Sequence, residues 1–100
     1  RQREKKLDAL RQQYGTTAAD RVLWNTVLDE IKASGDTELG TLLADALILQ
    51  TNGSTLVVGI ESQSHAQQLT HPRIQTLIKK SIKRALRQDF DAQFVTLQLA

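Results

Sequence analysis

Two short β-prone apolar runs, Leu47-Ile48-Leu49-Gln50 and Thr55-Leu56-Val57-Val58-Gly59-Ile60, are separated by Thr51-Asn52-Gly53-Ser54. Asn-Gly between such runs is the strongest short hairpin signal a sequence carries, because both residues tolerate the positive φ of a type I′ turn. A lone hairpin buries too little apolar surface to be stable in water. The flanking segments therefore have to cover it, and their patterning is helical. Thr17 is placed to cap a helix over 18 to 33, with Val22, Leu23, Val27, Leu28 and Ile31 at the 3.6-residue period and Trp24 beside them. After Ser34-Gly35, Asp36 or Thr37 caps a shorter helix with Leu39, Leu42, Leu43 and Ala46 on one face.

Beyond the hairpin, residues 62 to 69 read as a short polar helix. Pro72 suits the first turn of a longer one that runs to about Gln88. Its inward positions are Ile74, Leu77, Ile78, Ile82, Ala85 and Leu86. Residues 92 to 99 alternate as a last strand, in which Phe94 is expected to be buried. The order α-α-β-β-α-β implies an α+β fold, a two-layer α/β sandwich with a KH-like topology. An extra N-terminal helix over 1 to 14, with Leu7, Leu10 and Tyr14 at helical spacing, stops at Gly15. Residues 1–16 thus read as a linker or appended helix outside the main core, and 17–100 as the α+β interaction domain.

A chain of 100 residues with 40% hydrophobic content supports one core, not a core plus a deep substrate cavity. The absence of Cys excludes a disulfide framework and a thiolate metal site, and it suits a reducing cytoplasm. No stretch approaches a membrane span, and the opening RQREKKLDALRQQYG is too polar for a signal peptide. A start without Met is expected of an excised fragment. Net charge is +2, but it is unevenly placed: the acidic residues gather between 20 and 61, and both ends are basic. A protein-docking module tolerates such an acidic middle better than a binder that neutralises phosphates.

Candidates for catalysis are few. Ser62-Gln63-Ser64-His65 is not a triad, because that constellation is assembled from distant segments around an oxyanion site. His65 and His71 are poorly spaced for two ligands on one helix face, and Gly35 and Gly40 form neither a P-loop nor a dinucleotide fingerprint. The reading assigns no catalytic, cofactor or metal residue and no enzymatic role. The outward cations Lys79, Lys80, Lys83, Arg84 and Arg87 are the candidate nucleic-acid contacts, or else a docking surface for an acidic protein. Base-stacking aromatics are scarce, and the GXXG loop with which KH domains clamp RNA is missing. Trp24, read as partly exposed beside Leu23, is a candidate interface anchor.

The segments LWNTVLDEIK, LGTLLADALIL and NGSTLVVGIESQSHAQQL, followed by a long final helix, resemble the DnaA N-terminal domain. They also resemble the C-terminal interaction domain of the gamma/tau (DnaX) subunit of the bacterial DNA polymerase III clamp loader. Leu23-Trp24, Leu28, Ile31 and Glu38-Leu39 carry the first likeness; Ser62, His65, Leu69 and Pro72 carry the second, which fits better. The resemblance covers residues 20 to 99 and implies a non-enzymatic docking domain of the replication machinery, in the cytoplasm. It implies Leu23, Trp24 and Glu38 as protein-binding residues, with a helicase or polymerase subunit as partner and self-association through the Trp24 helix. Leu42-Leu43 stands where the DnaA family commonly has a Trp, so only weak single-stranded DNA binding is expected. A nucleic-acid-binding module using the basic helix 72–88 is the alternative.

Overall fold

The computed structural model describes residues 2–97. Eight elements follow one another: α1 (Gln2–Tyr14), α2 (Ala18–Ala33), α3 (Thr37–Leu42), β1 (Ala46–Asn52), β2 (Thr55–Ile60), α4 (Gln63–Leu69), α5 (Pro72–Leu86) and β3 (Asp91–Thr96). The strands form one sheet in the order β1-β2-β3, β1 antiparallel and β3 parallel to β2. The α+β architecture read from the sequence is the observed one. Residues 98 to 100, the expected end of the last strand, lie outside the described residues.

Local chemistry fixes the boundaries. The Thr17 side chain accepts from the Asp20 amide at 3.0 Å, while the Asp20 carboxylate accepts from the Thr17 amide at 2.9 Å, a reciprocal capping box. Asp36, Ser62 and His71 cap α3, α4 and α5. Helix α5 stops at Leu86, two residues short of the predicted end, because Arg87 takes a left-handed conformation with φ 59°. Ala46, predicted on the α3 face, starts β1 instead; α3 has already closed at its C-cap, Leu43.

The hairpin stands where it was predicted, but its turn differs. Asn52 pairs with Thr55, so Gly53 and Ser54 are the central residues, and of these only Gly53 has positive φ, at 61°. That is the pattern of a type II′ turn, which wants Gly first, and not of type I′.

Strand alternation sends Ile48, Leu56, Val58 and Ile60 to one face of the sheet. There they meet Trp24, Val27 and Ile31 of α2, Leu39 and Leu42 of α3, Leu69 of α4, and Ile74, Ile78 and Ile82 of α5. Leu49, Val57 and Leu97 point the other way, where Leu7, Leu10 and Tyr14 of α1 pack over them. The N-terminal helix is thus appended to the opposite face, away from the main core. A β-bulge at Leu49 lets β1 serve both faces: Ile48 pairs with Val58 but Gln50 with Val57, so Leu49 and Gln50 both lie on the α1 side. The shift turns Thr51 back toward α2.

Two burial expectations are corrected. Trp24 is 3% exposed and belongs to the core, whereas Val22 is 64% exposed. The inward stripe of α2 is Asp20, Trp24, Val27 and Ile31, rotated from the predicted one because the buried Asp20 occupies its first position. Phe94 is half-buried at the border of the core, since β3 is an edge strand.

Candidate functional site

The structure scatters the three residues singled out for protein binding. Leu23 is half-buried on α2, and Trp24 faces inward with its indole N–H buried and unpartnered. Trp24 therefore stabilises the fold and presents no surface to a partner; the expected exposed anchor is corrected. Glu38 stands apart on α3, where it binds Arg73 of α5 in a bidentate pair with both contacts at 3.0 Å. This pair holds the Glu38 carboxyl below its ordinary range, chiefly through the hydrogen bond from Arg73, and raises Arg73. The sequence gave no signal for it, because the partners are 35 residues apart.

The basic helix keeps its cations outside, as predicted, but most are engaged. Lys79 Nζ lies 2.9 Å from Asp91 of β3, Lys83 Nζ 3.1 Å from Asp89, and Arg84 Nε 3.1 Å from Glu30 of α2. Lys80 and Arg87 are exposed and have no carboxylate partner among the described residues. Arg84 turns toward α2 while Lys79 and Lys83, one turn apart, turn toward β3, so the two flanks of α5 are neutralised by different elements.

Between α3, α4 and α5 runs an open groove of about 300 Å³ lined by Glu38, Gln67, Gln68, His71, Arg73 and Ile74. The His71 ring spends its Nδ1 accepting the Arg73 amide at 3.2 Å as the cap of α5. His65 is tied elsewhere: its Nδ1 lies 3.5 Å from Asp45 Oδ1, and Asp45 Oδ2 accepts the Ser62 amide at 3.2 Å. Asp45, Ser62 and His65 together clasp the start of α4 to the α3–β1 turn. Neither histidine joins a group of three or more His, Cys, Asp or Glu placed to hold a metal ion among the described residues.

Asp20 is the one buried carboxylate among the described residues, 8% exposed. Desolvation works to raise its pKa, but the Thr17 amide, the Thr51 hydroxyl and the Thr17 hydroxyl together outweigh that, and the net shift is downward. The Thr51 hydroxyl favours the carboxylate from nearby without reaching full hydrogen-bond geometry. This contact exists because the bulge turned Thr51 toward α2.

No protein-family model matches the sequence, and no curated protein matches it either. No helix among the described residues is long and apolar enough to cross a membrane.

Proposed function

We propose that this chain is a non-enzymatic protein-docking module of the bacterial DNA replication machinery, of the gamma/tau clamp-loader type or the DnaA N-terminal type. The observation that carries this reading is the state of α5. Three of its five candidate phosphate contacts, Lys79, Lys83 and Arg84, are already paired with the protein's own carboxylates. A surface whose charge is offset internally suits a protein with a few matching rim charges better than a polyphosphate chain, whose affinity comes from many uncompensated cations. A helicase or polymerase subunit is the partner class, and the bacterial cytoplasm is the setting. Self-association through α2 would use its exposed face around Val22 and the edge of Leu23, since Trp24 faces inward.

Lys80 and Arg87 favour a second reading, a single-stranded nucleic-acid-binding module, because they alone among the five lack a carboxylate partner. Two experiments separate the readings. A pull-down from bacterial lysate, with and without nuclease, should retain replication proteins after nuclease treatment. Fluorescence anisotropy with an arbitrary single-stranded oligonucleotide should show only non-specific affinity, about 10⁻⁴ to 10⁻⁶ M. Sub-micromolar binding at physiological salt that vanishes when Lys79, Lys80, Lys83, Arg84 and Arg87 become Gln would promote nucleic acid to first place.

A further inference from the structure

The two edges of the sheet are treated differently. On β1 the edge is bulged at Leu49, whose carbonyl accepts the Thr16 hydroxyl, and the α1–α2 connection runs along it. Such devices block strand addition. On β3 nothing comparable stands among the described residues. The Asp91 amide donates to Ser54 O at 2.9 Å and the Leu97 amide to Ile60 O at 2.8 Å, so the parallel ladder turns the odd-numbered residues inward to β2. Ala92, Phe94 and Thr96 consequently aim their N–H and C=O groups outward. Helices α4 and α5 pack on β3 from the helical layer and leave its in-plane edge open.

The surroundings of that edge have a charge. Lys79 and Lys83 lie on the flank of α5 away from α2, and Lys79 reaches the first residue of β3. Their ion pairs with Asp91 and Asp89 are surface pairs, worth little and easily exchanged. With Lys80 added, this flank carries more lysines than aspartates. A second copy pairing antiparallel with β3 would bring two such lysine-bearing helices together, which disfavours self-pairing.

We infer that the outer edge of β3 is the docking surface, and that it takes an extended, acidic segment of a partner protein as a fourth strand beside Ala92, Phe94 and Thr96. Main-chain hydrogen bonds supply the attachment, and the α5 lysines select carboxylate-bearing strands. The inference rests on the docking reading above and gives it a surface.

The test titrates the isotope-labelled chain with a capped decapeptide that alternates Glu with Val and Thr, and with its Glu-to-Lys counterpart. The Glu peptide should bind with a Kd below about 1 mM, and the Lys peptide about tenfold more weakly. Amide exchange at Ala92, Phe94 and Thr96 should slow, while Gln93 and Val95, already bonded to β2, change little. Thr96→Pro removes only an outward N–H and should weaken the Glu peptide about tenfold, with circular dichroism unchanged. Lys79→Gln, Lys80→Gln and Lys83→Gln together touch exposed side chains only, and should abolish the preference for Glu over Lys even if the proline variant misfolds.

Equal binding of both peptides, or protection confined to other residues, overturns the inference. So does a dimer of the free chain that Thr96→Pro dissociates, or an oligonucleotide that protects the same amides. Capture of a replication protein equally by the natural chain and by folded Thr96→Pro also removes this edge but leaves the docking reading standing. Edge binding with no replication protein captured keeps the edge and removes the replication assignment.

Discussion

The two faces of the sheet are covered to different degrees. One lies under four helices and buries Trp24, Val27, Ile31, Ile78 and Ile82 among its strands; the other lies under α1 alone, which covers Leu49, Val57 and Leu97 with side chains that are themselves only half-buried. Burial stabilises in proportion to the apolar area withdrawn from water, so the first face holds the fold and the second adds to it. The comparison also explains why α1 could be read as an appendage: its stripe of Leu7, Leu10 and Tyr14 meets a small patch rather than a core.

The sharpest way to break this comparison is to truncate one residue on each face. Trp24→Ala should cost about 3–5 kcal/mol and Leu49→Ala about 2–3 kcal/mol in urea denaturation, since α1 can settle onto the smaller side chain. Equal costs would mean that α1 is as much a part of the core as α2. Next comes Gly59, whose missing side chain makes room for Leu97: a Cβ there would sit 2.7 Å from Leu97 Cδ2. Gly59→Ala should destabilise by about 1–3 kcal/mol, and Leu97→Ala in the same chain should recover part of the loss, a coupling confined to the α1 face.

Asp20 sharpens the comparison from the helical side. Asp20→Asn should cost about 1–2 kcal/mol at neutral pH by weakening the capping box and the approach to Thr51. Because the folded pKa of Asp20 is depressed, its contribution is complete above the unfolded value of about 3.9 and is lost as pH falls through the lower folded value. The stability gap between the natural chain and Asp20→Asn should therefore be flat near neutrality and close in acid; a gap that widens in acid would reverse the sign assigned here. The smallest effect belongs to a contact remote from both faces. Arg73→Gln should leave the denaturation midpoint nearly unchanged, because the Glu38 pair is exposed, yet return the Glu38 carboxyl to its ordinary titration range by NMR.

What could be read from the sequence was local. The capping box at Thr17, the start of α5 at Pro72 and the existence of the hairpin all follow from residues within four positions of one another. The rotation of α2 was also legible in principle, since Trp24, Val27 and Ile31 are at helical spacing; the polar Asp20 heading that stripe disguised it. The bulge at Leu49 was not legible, because it exists only in the pairing of β1 with β2. The partners of Lys79, Lys83 and Arg84 were likewise hidden. Arg84 and Glu30 are 54 residues apart, and nothing local to either announces the other.

The sheet joins its strands on two different scales of chain separation, and this sets an order of assembly. Strands β1 and β2 are linked by the two-residue turn Gly53-Ser54, whereas roughly 30 residues, including α4 and α5, separate β2 from β3. By loop length alone, closing the second connection costs about 2 kcal/mol more entropy than closing the first. The hairpin can zip within microseconds of collapse, but β3 finds its place beside β2 only after α5 has formed and docked. The open edge is then the last to be built.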